Sequence, residues 1–332
     1  IKDPYPQASW SSYGAYLSYR FTPNTAWAFH AGARYSGYMI RADFNSNQEF
    51  LNLNYTEAEL NQSAITGNFG AVYSAAETWK LSLNLSTGFR APNVDDIGKV
   101  FDSEPMELVV PNPNLHSEYA YNAELGLSRV FGKMLKLDAT AFYTYLDDAL
   151  VRRAFTLNGQ DSLMYQGELS QVTAVQNAAF AQAYGLQLGA RVKLPYNLTI
   201  RSVYTWQEGE EESEDGMVAP ARHAAPPFGS THLIYQNQAL RLDLYAEYSD
   251  EVAYQDLAIS ERGKAFMYAI DANGNPYSPA WYTLNLKASY QFNKGLMLTA
   301  GLENITNQRY KTYSSGLVAA GINFIASASI SL

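Results

Sequence analysis

From residue 79 the chain alternates apolar and polar side chains with a period of two. In WKLSLNLSTGFR, 79–90, Trp79, Leu81, Leu83, Leu85 and Phe89 fall on one face, and Lys80, Ser82, Asn84, Ser86 and Arg90 on the other. After a polar stretch ending in VVPNPNLHSEY, Tyr121, Ala123, Leu125 and Leu127 alternate with Asn122, Glu124, Gly126 and Ser128. Successive side chains leave a β-strand on opposite sides, so this pattern predicts strands with one apolar and one polar face. The same pattern recurs at 11–21, 27–35, 65–73, 135–145, 184–193, 198–206, 230–235, 240–248, 282–292, 296–303 and 322–332. It predicts about thirteen antiparallel strands of roughly nine to thirteen residues.

The connections alternate too. Short turns are expected near 22–25, 75–78, 132–134, 195–197, 237–239 and 293–295, and long loops near 42–62, 92–116, 151–175, 208–227, 250–280 and 304–320. Short turns at one end and long loops at the other are the pattern of an up-and-down transmembrane β-barrel, with periplasmic turns and extracellular loops. A soluble sandwich would show shorter strands and no such asymmetry. A β-helix would show a fixed short repeat. With the last strand ending in the periplasm, Trp10, Tyr35, Trp79, Tyr145, Trp206 and Trp281 are expected in the interfacial girdles, where amphipathic rings settle. The polar face carries Arg20, Arg34, Lys80, Arg90, Glu124, Lys136, Asp138, Arg191, Arg201, Arg241, Asp243, Glu247, Lys287 and Glu303. Buried ions need partners or water, so these charges predict a wide lumen, water-filled or plugged by a polar domain.

Composition agrees with this reading. The 332 residues are 14% aromatic, with 26 Tyr, and only 17% charged, against about 25% in typical soluble domains. No apolar run is long enough for a transmembrane helix. A mean hydropathy of -0.25 does not oppose a barrel, because each strand is only half apolar. The absence of Cys removes disulfide and thiolate–metal readings. A net charge of -9 argues against a nucleic-acid partner. The opening IKDPYPQASW lacks the charged and apolar regions of a secretory leader, so processing or a fragment is expected.

GFRAP at 88–92 and PNPNL at 111–115, followed by Glu118 and Tyr119, resemble the FRAP and NPNL boxes of the TonB-dependent outer-membrane transporters. GLENITNQRY at 301–310 and GINFIASASISL at 321–332 resemble that family's closing strands. There an N-L-F-(D/N)-x-x-Y sequence precedes a last strand ending in an aromatic residue. Leu332 stands where the family usually carries Phe, a departure that touches the terminal assembly signal and not the fold. The resemblance runs from about residue 11 to the end, and it is the order and spacing of the boxes together that make it specific. It implies a barrel of about 22 strands with an N-terminal plug, opened by the TonB complex at the expense of the inner-membrane proton gradient. The sequence contains neither plug nor TonB box. Residues 1–332 therefore read as the C-terminal portion of such a barrel, beginning inside an extracellular loop of a longer protein. Its odd strand count supports this, since single-chain bacterial barrels have even numbers. The implied partners are the TonB complex through the plug, the rest of the same receptor, the bilayer with lipopolysaccharide, and a surface lipoprotein. No cofactor is implied.

Haem receptors of this family place a histidine between the two boxes. Residues 93–110 contain none; Met106 is the soft donor there, and His116 lies just beyond NPNL. His223, in ARHAAPP, is a further candidate, and the loop tyrosines Tyr165 and Tyr313 either stack on a ligand or anchor loops. The ligand-binding candidates are thus Met106, His116, His223, Tyr165 and Tyr313. Arg90, Glu124, Arg191 and Arg201 are candidates for plug or lumen contacts. The FRAP–NPNL segment has a structural reading as well, with its prolines shaping the loop. The acidic run 208–215 reads as a solvated loop or a Ca²⁺ site, and its spacing matches no EF-hand. No phosphate loop, nucleophile elbow or HExxH is present, so catalysis has no support. Energised import of a ferric siderophore or haem is the leading reading. Import of cobalamin or an oligosaccharide, a passive porin-like channel, and a surface anchor or adhesin are its alternatives.

Overall fold

The computed structural model describes residues 5–45, 53, 55–99, 101–104, 106–165, 167–212, 216–222 and 224–331. Among the described residues thirteen long strands carry the fold: β1 (Gln7–Phe21), β2 (Trp27–Asp43), β3 (Glu57–Ala76), β4 (Trp79–Arg90), β5 (Glu118–Phe131), β6 (Leu135–Ala154), β7 (Glu168–Lys193), β8 (Leu198–Glu212), β9 (Phe228–Gln236), β10 (Leu240–Ser249), β11 (Trp281–Asn293), β12 (Leu296–Glu303) and β13 (Asn323–Ile330). Each pairs antiparallel with the next, giving a single meander from β1 to β13. The tight turns fall where the alternation lapses, and at 194–197 both Tyr196 and Asn197 adopt positive φ, as a tight reversal demands. Among the described residues β1 pairs only with β2 and β13 only with β12, so the sheet is an open wall with two edges. No described helix is long and apolar enough to cross a membrane.

The register puts the polar residues on one surface. Arg90 faces Glu118, Asn84 faces Glu124, Ser128 faces Asp138, and Lys136, Arg191, Arg201 and His232 form one continuous row across β6–β9. The opposite surface is apolar and exposed, with Leu83, Leu125, Leu188, Leu233 and Leu286 among its residues. A contiguous apolar face of this extent belongs in lipid. Tyr35, Trp79, Tyr145 and Trp206 share its parity. Trp10 and Trp281 do not: Trp10 aligns with the polar positions Ser12 and Gly14, and Trp281 with Thr283 and Asn285. Trp281 stacks on Tyr310, with ring centroids 4.2 Å apart, instead of joining a girdle.

Several strands run further outward than the alternation suggests, because the alternation changes phase there. Along β2 the lipid-facing Phe29, Ala31, Ala33 and Tyr35 give way to buried Tyr38, Ile40 and Ala42 on the other parity. Along β3, Ala58, Leu60 and Ala64 are buried while Glu57, Glu59 and Ile65 are exposed. Above the bilayer the outer face meets water and the inner face meets protein, so the apolar parity inverts. The inner side is filled by described residues of the loops, among them Phe44, Leu53 and Tyr55, then Ile97, Val110 and Leu115, then Phe155, Leu157 and Leu163. Ile40, Phe44, Leu60, Ile97, Leu108 and Val172 form the centre of their common core. The acidic run is corrected by the same extension: 208–212 belongs to β8, and 213–215 lie outside the described residues.

Candidate functional site

The FRAP and NPNL boxes pack into this loop core, which caps the wall above the bilayer. Arg90 closes β4 with two ion pairs, to Glu118 at 2.6 Å and Asp96 at 2.8 Å. Asp96 also forms a reciprocal capping box with Asn93 at the start of the short helix α1 (Val94–Gly98), satisfying its free N–H groups. In NPNL the buried Asn112 donates from Nδ2 to the Val175 carbonyl at 2.7 Å and accepts from the Asn114 N–H at 3.1 Å. Leu115 is buried in the core, and its carbonyl accepts from Gln62 Nε2 at 2.6 Å. The Tyr55 hydroxyl, pushed up to about 12 by burial, donates to the Pro111 carbonyl at 3.2 Å. The prolines and asparagines thus tie β3, β7 and the 91–117 loop into one body.

A second loop group, 216–222, 224–227, 250–280 and 304–322, stands over β8–β13. Its node is Glu261 on the short helix α2 (Ile259–Arg262), whose side chain is 0% exposed. Arg222 Nε lies 2.7 Å and Lys264 Nζ 3.1 Å from its Oε1, and the Tyr268 hydroxyl donates to Oε2. Ser314 reaches Oε2 from the third loop at 3.5 Å. Burial alone would raise this carboxyl; the Tyr268 hydrogen bond and the Lys264 and Arg222 charges outweigh it and hold Glu261 below its ordinary value. Burial, joined by that carboxylate, pushes the Tyr268 phenol up. Lys311 Nζ donates to the Phe266 and Met267 carbonyls at 3.1 and 3.2 Å, a second staple between the 250–280 and 304–322 loops.

Among the described residues cavities open around this group. One of about 500 Å³ lies against the lumenal wall, lined by Gln187, Phe228, Ser230, Glu247, Trp281 and Tyr313. One of about 430 Å³ includes Glu251, Val252, Asp256 and again Tyr313. One of about 280 Å³ lies between the loops, with Tyr268, Trp281, Arg309, Tyr310 and Lys311 in its wall. Tyr313 and Trp281 therefore connect the compartments.

The ligand candidates separate under this geometry. Tyr313 lines two cavities; burial raises its phenol, and a hydrogen bond from the Ala258 backbone opposes the rise. Tyr165 is 9% exposed inside the cap core, and its hydroxyl has no partner among the described residues. Met106 is exposed at the tip of a hairpin, with its carbonyl accepting from Gln171 N–H at 2.8 Å. His116 N–H donates to Asn177 Oδ1 at 2.9 Å, and its ring nitrogen lies 3.6 Å from Asp148. Gln171 and Asn177 are both on β7, so these anchors stand roughly 20 Å apart at ~3.3 Å per residue. Met106 and His116 cannot ligate one iron together. His223 lies outside the described residues.

In the lumen, Glu124 accepts from Asn122 Nδ2 at 3.1 Å. Lys136, Arg191 and Arg201 stand directly opposite one another on adjacent strands. Lys136 holds Asp138 at 2.7 Å, while Arg191 and Arg201 form no ion pair among the described residues. The carboxylates of 208–212 lie along a strand and not in a cluster: Glu208 accepts from Tyr184, Glu210 from Gln182, and Glu212 pairs with Arg153, each at 2.7 Å. Among the described residues no group of three potential ligands could hold a metal ion. Sequence reading missed Glu261 and Tyr310, and it expected Trp281 in a girdle and not at the cavities. Only Trp281 left a signal, since its parity is that of the polar face.

Known proteins resemble this chain in sequence and in fold. At 26% identity over 305 residues it is similar to the hemoglobin-haptoglobin utilization protein B of Neisseria meningitidis serogroup A, covering 83% of this chain and 36% of that protein. At 26% over 264 residues it is similar to the hemoglobin and hemoglobin-haptoglobin-binding protein A of Haemophilus influenzae, covering 76% of this chain and 23% of that one. The chain thus spans about a third or less of the length of these curated relatives. The solved structure of the copper transporter OprC superposes with a TM-score of 0.72 at 13% identity, covering 97% of this chain and 48% of OprC. A likeness at that identity shows the fold alone. The family model for the TonB dependent receptor-like beta-barrel matches residues 2–305. With nine-tenths of its length inside that match, the chain belongs to the TonB-dependent receptor-like β-barrels of the outer membrane.

Proposed function

We propose that this chain is the ligand-capturing wall of a receptor for TonB-energised uptake of a scarce iron-bearing ligand, a ferric siderophore or haem taken from a carrier protein. The observation that carries the reading is the pair of folded loop groups over a polar lumen, with cavities that Tyr313 and Trp281 join at the lumenal wall. The names of the relatives, which concern haemoglobin and its haptoglobin complex, favour haem iron. In this reading β1 and β13 are closed by further strands of the receptor, because unpaired backbone groups are intolerable in lipid. Arg191 and Arg201 await carboxylates of a polar plug, since like charges directly opposite each other destabilise a sheet. The plug engages TonB, and its displacement opens the lumen. No covalent chemistry is involved. Growth of the producing cell under iron limitation tests the substrate class. Deleting the receptor should abolish growth on haemoglobin, free haem or one ferric siderophore as sole iron source, and unchanged growth on all three would refute the reading.

A further inference from the structure

One cation stands on the wrong face. Arg129 lies on β5 with the parity of Leu125 and Leu127, directly opposite Trp79 on β4 and Leu137 on β6. Every neighbour in that row and the next one outward is apolar: Trp79, Leu137, Leu81, Leu127 and Ala139. Its guanidinium carbon sits 4.0 Å from the Trp79 ring centroid and 5.1 Å from that of Phe131. Among the described residues it makes no ion pair or side-chain hydrogen bond, not even with Glu77 in the adjoining turn, and its Nε is buried without a partner. An unpaired charge on a lipid-facing sheet is costly unless something neutralises it.

The strand places the charge at a definite level. Arg129 is two residues from the end of β5 at Phe131, next to the periplasmic turn at 132–134. From its row to the tyrosine row of Tyr121 and Tyr145 is eight residues, roughly 26 Å along the strand at ~3.3 Å per residue. With strands tilted by ~35–45°, that length rises roughly 20 Å across the membrane, most of an apolar band about 25 Å tall, and with the periplasmic turn starting just past Phe131 Arg129 lies at the headgroup edge of the periplasmic leaflet. Two aromatic rings hold the guanidinium by cation–π contact and fix its plane. Its terminal N–H groups are left for a planar, bidentate acceptor, and phosphate oxygens at this depth have that geometry.

We infer that Arg129, held by Trp79 and Phe131, is a binding site for the phosphodiester of a phospholipid in the periplasmic leaflet. The site anchors one lipid to the barrel wall and sets the vertical position of β4–β6 in the membrane.

The test uses the full-length receptor extracted from outer membranes in mild detergent. Native mass spectrometry counts bound phospholipid in the wild type, R129Q and R129K. One retained phospholipid is expected in the wild type, with retention falling about tenfold in R129Q and less in R129K, which keeps charge but loses the fork. Equal retention in wild type and R129Q would overturn the site. Inorganic phosphate alone is titrated in parallel; displacement of the lipid by low-millimolar phosphate would assign the site to the free ion and overturn the lipid reading. If R129Q does not assemble, wild-type receptor in vesicles of phosphatidylethanolamine carrying a headgroup photo-probe decides the matter. Cross-links should concentrate at 127–137 and 79–81, and their absence there would refute the inference.

Discussion

At the scale of single residues, the buried charge at Glu261 makes the clearest demand. Its carboxylate is held by Arg222, Lys264 and Tyr268 from two loops, with Ser314 adding a third. Glu261→Gln removes the anion while both cations keep some solvent access. The expected cost is therefore about 1–3 kcal/mol, short of the full penalty for stranding a buried ion. The readout is hydrogen exchange at 250–280 and 304–322, which should quicken together while β9–β12 stay protected. Because the folded carboxyl lies below its ordinary value of 4.5, its stabilisation is complete above that value and is lost as pH falls through the lowered one. The wild type should show this acid loosening and the Gln variant should not. None of this was legible in the sequence, where Glu261 is one acid among many in a long loop. Arg90 was different: the polar parity of β4 already placed it inside, where Asp96 follows it closely in sequence and Glu118 stands directly opposite it at the start of β5.

At the scale of elements, periodicity marked the strands well inside the bilayer and poorly outside it. Between 65 and 73 the apolar positions are odd and face lipid; between 58 and 64 they are even and face the loop core. The inversion looks like the end of a strand when a single phase is sought, which is why loops were expected to begin too early. The two bulges of β7, between Asn177 and Ala181, blur the phase further. The same inversion gives opposite predictions for like substitutions. Leu125→Arg, on the lipid face, should impair membrane assembly by about 2–4 kcal/mol. Leu60→Arg should leave the bilayer span intact and unfold the cap, because it puts a charge in the core beside Ile40 and Leu108. Heat-modifiability on gels reads the first, and protease cleavage confined to the loops at 44–56 and 91–117 reads the second. Equal behaviour of the two variants would contradict the inverted phase.

At the scale of the whole molecule, the sequence made the meander and its sidedness readable, since turn and loop lengths follow from where polarity lapses. It did not reveal that the loops fold into two bodies. Those bodies rest on contacts between segments far apart in the chain, such as Asn112 to Val175 and Lys311 to Phe266. Capture by these bodies and energised passage along the lumen is the central claim. The measurement that tests it most directly is radioiron uptake from haemoglobin, haem and ferric siderophores, in cells producing the full-length receptor, with TonB present or deleted. The account predicts saturable uptake from one of these sources that disappears without TonB and weakens when Tyr313 is replaced by Ala. Uptake that is non-saturable and indifferent to TonB would make the barrel a passive pore and contradict it.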